Sequence, residues 1–237
     1  MDAFNKKDLV ELIKEDTQYL ESFLVRSVHS SAAIEGNTVT ESETQVLLVD
    51  GFVPVFSRPV SLREVNELQN LKAAWNYVLE VCKLDLSISV IHNIHKLVMT
   101  NIDGEAGAFK RTQNIVGSRL TTAPEKVPTE MQYLISNLMD GRLKYVESEE
   151  DLLEAVAWFH LEFEKVHPYP DGNGRTGRLL INWVLLHEGC APVVINVATK
   201  AEYLDCLRND DVKGLAKYLK DALEVERNLL NRNGEIV

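Results

Sequence analysis

The sequence predicts a mainly α-helical single domain with one small β-hairpin, on three observations. No Gly or Pro falls between Pro59 and Gly104 or between Gly141 and Pro168, so long uninterrupted elements are allowed there. Apolar residues within those stretches recur at the three-four spacing of one helix face. Strand signals are confined to two short runs, Gln113–Gly117 and Pro192–Asn196. A length of 237 residues with 45% hydrophobic and 26% charged side chains suits one folded domain over residues 1–237.

In chain order, weak helical patterns cover residues 6–34 and 41–49, the second opened by a capping box, Thr40-Glu-Ser-Glu43. A second box, Ser61-Leu-Arg-Glu64, precedes a strong helix on Val65, Leu68, Leu71, Trp75, Val78, Leu79 and Cys82. Residues 87–100 are a weaker helix, and Gln113–Gly117 lies in a Gly/Pro-bounded loop. After a helical pattern over 129–140, the acidic run Glu147–Asp151 sits where carboxylates favour a helix start. The helix that follows carries Leu152, Leu153, Val156, Phe159, Phe163 and Val166. Leu179–His187 is apolar nearly all round, as in the centre of a bundle, and ends at Gly189 with Pro192 beyond. A third box, Thr199-Lys-Ala-Glu202, opens residues 200–208, and a last helix covers 211–229. Trp75, Trp158 and Trp183 fall on apolar faces and are expected in the core.

Charge and cysteine usage exclude several classes. With 25 basic and 36 acidic residues the formal charge is −11, the wrong sign for general nucleic-acid binding. The three cysteines are far apart and lack C-x-x-C spacing, so neither a disulfide framework nor a zinc site is expected. No apolar run reaches membrane-spanning length, and the N-terminal residues lack a signal-peptide pattern, so a cytoplasmic protein is expected.

The segment His167-Pro-Tyr-Pro-Asp-Gly-Asn-Gly-Arg-Thr-Gly-Arg178 interrupts this pattern between two apolar helices. Pro168 ends the preceding helix near Val166 and leaves His167 at its edge. Gly172, Asn173 and Gly174 can turn successive backbone N–H groups toward an anion at the positive end of the next helix. Arg175 and Arg178, three apart on one face, add two guanidinium forks suited to phosphate. Asp171 is a hard oxygen ligand of the kind that holds Mg²⁺ beside phosphates. His167 is the candidate general base, its ordinary pKa lying near neutrality. Other motifs fail: the match to G-x-G-x-x-G follows a helix instead of a strand, and a P-loop needs a Gly-Lys-Ser/Thr that is absent. A calcium loop would need a ligand at Arg175 and Gly at Thr176. His160, His92 and His95 read as core or helix-face residues without a ligand set.

This segment resembles the Fic-domain signature H-P-F-x-D/E-G-N-G-R-x-x-R, with Tyr169 in place of Phe as its one departure. Chance matching is on the order of 10⁻¹⁰ per start position, so the match is specific. Gly107–Gly117 resembles the strip leading into the family's flap, with Lys110 where Arg is commoner. Ser31-Ala-Ala-Ile-Glu-Gly36 resembles its inhibitory motif S/T-x-x-x-E-G/N. The resemblance implies an inhibitory helix segment at about 25–36 and a Fic core at about 87–220, with the catalytic loop at 167–178.

What the resemblance implies is an autoinhibited protein adenylyltransferase that moves AMP from ATP to a Ser, Thr or Tyr hydroxyl. His167 would be the base and Asp171 the Mg²⁺ ligand, while Gly172, Asn173 (also through its side-chain amide), Gly174, Arg175, Thr176, Gly177 and Arg178 would hold the nucleotide. Tyr203 and Leu204 match positions near the adenine, and Val116 and Gly117 the flap wall. The flap around residues 107–120 would bind the target protein by strand addition. Glu35 would pair with Arg178, with Ser31 in the same motif, where Glu35 alone reads as a solvated helix-end carboxylate. Removal of AMP, transfer of another group (UMP, phosphate, phosphocholine) and a non-catalytic nucleotide sensor remain open. The apolar stretch Leu47–Pro54 is the candidate surface for a homodimer.

Overall fold

A computed structural model gives the fold, described over residues 6–117 and 119–233. The two ends of the expected 1–237 domain, and Ser118 in the expected flap, lie outside the described residues. Ten α-helices appear among them, with one two-stranded hairpin.

The predicted 6–34 helix is two helices, α1 (Lys6–Glu15) and α2 (Thr17–Ile34). Asp16 causes the break: its carboxylate accepts the Tyr19 N–H at 2.9 Å and caps α2. Next come α3 (Glu41–Gln45), a π-helical turn at Val46–Asp50, and α4 (Leu62–Val81). Both predicted boxes at these starts form reciprocally, Thr40 with Glu43 and Ser61 with Glu64. The stretch Leu47–Pro54 divides: Leu47 and Leu48 are buried, whereas Phe52 and Val53 are exposed after Gly51 turns the chain outward at φ 75°. Only its second half is therefore a free apolar surface.

Helix α5 (Ile88–Val98) is followed by the hairpin β1 (Ile115–Val116) and β2 (Arg119–Leu120), which pairs Ile115 with Leu120 and Val116 with Arg119. Helix α6 (Val127–Ser136) runs into a π-helical turn, and α7 (Glu149–Val166) starts at Ser148 with three carboxylates in its first turn. Then come α8 (Asn173–His187), α9 (Lys200–Asn209) and α10 (Val212–Asn233).

Helix α8 is the centre of the bundle, packed by α1, α2, α4, α5 and α7. Leu179 through Leu186 are all buried, as the all-round apolar pattern requires. Trp75 and Trp183 are core residues, but Trp158 is only partly buried, with the Arg142 guanidinium 4.0 Å above its ring.

Two further expectations are corrected. Pro192–Asn196 is extended but unpaired with any strand, because the Asn182 side chain takes its hydrogen bonds: Oδ1 accepts the Val193 N–H at 2.6 Å and Nδ2 donates to Val193 O at 3.1 Å. The box at Thr199 does not form. Its hydroxyl is engaged by Asn196 O and by the Tyr218 hydroxyl at 2.7 Å, and Asn196 caps a 3₁₀ turn, Val197–Thr199, just before α9.

Candidate active site

Helix α7 ends at Val166, and His167 takes a left-handed conformation (φ 48°, ψ 64°) while its N–H still donates to Phe163 O at 2.8 Å. That conformation is uncommon for a residue with a Cβ and swings the chain away from the helix axis. The turn closes through Asn173, whose Oδ1 accepts the Tyr169 N–H at 2.9 Å and whose Nδ2 donates to Tyr169 O at 2.8 Å. Both ends of this buried amide are thereby engaged within the turn, while its backbone N–H stands at the start of α8. Gly172 caps α8 at φ 77°, and the first bond four residues back within this turn is Thr176 N–H to Gly172 O, 3.0 Å. The N–H groups of Asn173, Gly174 and Arg175 are left at the positive end of α8, an anion cradle.

Arg175, in the first turn of α8, and Arg178, in its second, reach different carboxylates. Arg178 donates from Nε to Ser31 Oγ at 2.9 Å, and from Nη2 to Ser31 O at 3.0 Å and Glu35 Oε1 at 2.8 Å. Arg175 is ion-paired to Glu67 at 3.1 Å and to Asp171 at 3.3 Å. Asp171 Oδ1 also accepts the Gly172 N–H at 2.6 Å, and its Oδ2 accepts from Arg63 at 2.8 Å. Burial works to raise the Asp171 pKa, but Arg175, the Gly172 N–H and Arg63 outweigh it and hold it below the usual value.

Among the described residues, no group of three or more His, Cys, Asp and Glu side chains is placed to hold a metal ion. Asp171 does fit Mg²⁺ as a single ligand: it is a half-exposed carboxylate beside the cradle, and Mg²⁺ takes one or two carboxylates with phosphates and water.

Sequence reasoning missed the supports of this loop. His95 Nδ1 accepts the Gly107 N–H at 2.9 Å, so its Nε2 is the protonated nitrogen and donates to Asp171 O at 2.9 Å. Burial lowers the His95 pKa to about 4 and keeps that tautomer neutral. Its ring stacks on Tyr169 at 3.6 Å, and the Tyr169 hydroxyl finds its partner in His92 Nδ1 at 2.9 Å. The available signal was two histidines three apart, facing the one breaker-rich segment of the chain.

The hairpin is tied to the same loop. Lys110 N–H donates to Pro168 O at 2.9 Å, and its buried ammonium donates to Asn114 Oδ1, Thr121 Oγ1 and Val166 O. Val116 and Gly117 are exposed on this hairpin. Thr176 and Gly177 are buried in α8. Tyr203 is buried as well, its hydroxyl 2.8 Å from His160 Nε2, while Leu204 is half-buried against the core. His160 is a core residue whose pKa burial lowers to about 4.

Residues 85–185 match the model of the Fic/DOC family. Protein adenylyltransferase fic-1 of Caenorhabditis briggsae is 34% identical to this chain over 200 residues. Residues 85–185 are a Fic/DOC domain. The match to fic-1 covers 81% of this chain and 38% of that relative, so the chain spans well under half its length. The Fic architecture is also seen in solved structures. A Fic-domain signaling protein of Bacteroides thetaiotaomicron superposes with a TM-score of 0.81, covering 97% of each chain; at 23% identity that likeness concerns fold alone. Fic-1 of Caenorhabditis elegans superposes with a TM-score of 0.75 at 27% identity, covering 96% of this chain and 70% of that one.

Proposed function

We propose that this Fic protein is an autoinhibited protein adenylyltransferase, transferring AMP from ATP to a hydroxyl of a target protein and of itself. One observation carries the reading: His167 and the open N–H groups of α8 share a turn, and Arg178, one turn further along α8, is held by Glu35 at the end of α2. His167 would take the hydroxyl proton as its oxygen bonds to the α-phosphorus, and the bond from that phosphorus to the departing pyrophosphate would break. The N–H groups at the start of α8 would hold phosphate oxygens, and Arg175 and Arg178 would grip the outer phosphates once released from their carboxylates. Mg²⁺ on Asp171 would supply charge stabilisation at those phosphates. With Glu35 on Arg178, the outer phosphate loses its partner and the α-phosphate is misaligned for attack. The names of the adenylyltransferase relatives support the same activity.

The flap would align the target by pairing with the short exposed edge at Ile115–Val116 and Arg119–Leu120. Buried Tyr203 and half-buried Leu204 would form the floor beneath the adenine rather than an open wall. Three free cysteines suit a cytoplasmic setting. Phe52, Val53 and Val55, each at least 70% exposed, are where a homodimer would bury apolar surface.

Incubation with α-labelled or γ-labelled ATP tests the activity. Label from the α position on protein, stronger with Glu35→Gly and lost when His167→Ala is added, is the expected result. Label from the γ position alone would make the enzyme a kinase. ATP binding without any label, even with Glu35→Gly, would make it a sensor.

A further inference from the structure

His160 and Glu164, one turn apart on α7, and His167 just past its end are three titratable residues at one place, of which the reading above uses only the last. Glu164 Oε2 lies 3.6 Å from His167 Nδ1, and the two side chains are 14% and 17% exposed. Glu164 Oε1, His160 Nδ1 and His167 Nδ1 are all shut off from solvent without a hydrogen-bond partner among the described residues. Three such atoms at one place need a use, because a buried polar group left unsatisfied is costly.

The space for this carboxylate is built into the opposite helix. A Cβ on Gly177 would stand 2.7 Å from Glu164 Oε1 and 2.8 Å from His160 Cε1. Glycine just before Arg178 therefore lets Glu164 lie between α7 and α8, behind the imidazole. Burial works to raise the Glu164 pKa, yet contact with His167 and the nearby His160 and Arg178 outweigh it, so the carboxyl stays below its ordinary value.

We propose that Glu164 is the positioning residue for His167: it holds the Nδ1–H of the imidazole and so presents the bare Nε2 to the incoming hydroxyl. The proposal rests on the adenylyltransferase reading for its kinetics but not for its geometry. A separation of 3.6 Å is longer than a hydrogen bond, and such contacts commonly tighten when substrate enters. The proton balance is simple. His167 keeps its proton on Nδ1, Nε2 gains the hydroxyl proton, and the imidazolium so formed lies against an anion. His160 is held by its Nε2 contact with Tyr203, and its Nδ1 lies beside Glu164 Oε1, leaving Oε2 for His167.

Two measurements test the proposal. In the wild-type protein, ¹⁵N imidazole spectra should place the His167 proton on Nδ1, and Glu164→Ala should shift the population toward the Nε2–H form. In the Glu35→Gly background, Glu164→Ala should lower kcat for α-label transfer by roughly 10- to 100-fold with KM for ATP unchanged. Glu164→Gln, which keeps an oxygen acceptor without the charge, should fall between. A wild-type His167 protonated on Nε2 overturns the proposal, even where Glu164→Ala fails to fold. So does a Glu164→Ala enzyme with kcat within twofold of its parent. If Glu35→Gly transfers no AMP at all, the function fails, and the spectra still decide the role of Glu164.

Discussion

Glu35, the cap residue just past the end of α2, places Oε1 2.8 Å from Nη2 of Arg178, a residue 143 positions later in the chain. The pair is asymmetric: the Arg178 side chain is 5% exposed, and that of Glu35 is 39% exposed. Arg178 has two further bonds to Ser31 that do not involve the Glu35 carboxylate, so the more exposed Glu35 is the partner placed to leave.

On the proposed function, the strength of this contact sets the size of the inhibition. A charge-assisted hydrogen bond contributes roughly 1.5–3 kcal/mol, a ten- to hundred-fold bias at about 1.4 kcal/mol per decade. Glu35→Gly should therefore raise the rate of α-label transfer by roughly 10- to 100-fold, measured with saturating ATP against wild type. Equal rates would show that the contact has no regulatory weight.

Gly172 tests the cradle itself. Its φ of 77° disfavours any residue with a Cβ, and that Cβ would lie 2.6 Å from Sδ of buried Met99. Gly172→Ala should lower stability by about 1–3 kcal/mol in urea unfolding, from left-handed strain plus the clash. In the Glu35→Gly background it should also lower AMP transfer, because the first turn of α8 would be displaced. Unchanged stability would mean that the cap has another accessible conformation.

The site was legible in the sequence wherever its physics is local. The breakers of residues 167–178 marked the end of α7, and the boxes at Thr40 and Ser61 formed because donor and acceptor are three residues apart. What was invisible is long-range. Arg63 reaches Asp171 across 108 positions, and nothing near Arg63 in the chain signals that partner. The Asn173 amide closes the turn onto the Tyr169 backbone in a loop where Tyr169 stacks on His95 from α5, a contact no local pattern signals. Thr199 failed as a cap for the same kind of reason, since Tyr218 on α10 competes for its hydroxyl.

Glu64 links Thr38, two residues past the proposed inhibitory segment, to α4, and its carboxyl pKa is pushed down. The Ser61 N–H, then the Thr38 hydroxyl and N–H, push its pKa down to about 2. The folded value lies below the unfolded value of about 4.3, so its stabilisation is present above that range and is lost as pH falls through about 2. Urea unfolding of wild type and Glu64→Gln should differ at pH 6 and converge near pH 2. A difference that does not change with pH would mean that the charge of Glu64 contributes nothing.

Glu226 tests whether α2 is held by more than Glu35. Its carboxylate, 1% exposed on α10, accepts from the Tyr19 hydroxyl at 3.1 Å and from both Nη atoms of Arg26, so two residues of α2 converge on one buried anion. The same helix carries Ser31 and leads into Glu35, and its Phe23 packs edge-on to Trp75 at 4.9 Å. Removing the carboxylate leaves the Arg26 charge and a buried phenol without their partner, a loss on the order of 3 kcal/mol. Glu226→Ala should lower global stability by about that amount, and amide exchange over residues 17–34 should quicken more than over α8. If α2 positions Glu35, AMP transfer by Glu226→Ala should rise toward that of Glu35→Gly, and the double variant should be no faster than Glu35→Gly alone. Faster exchange without any gain in transfer would place the inhibitory hold wholly in the Ser31–Arg178–Glu35 contact and leave the α10 tether a purely structural part.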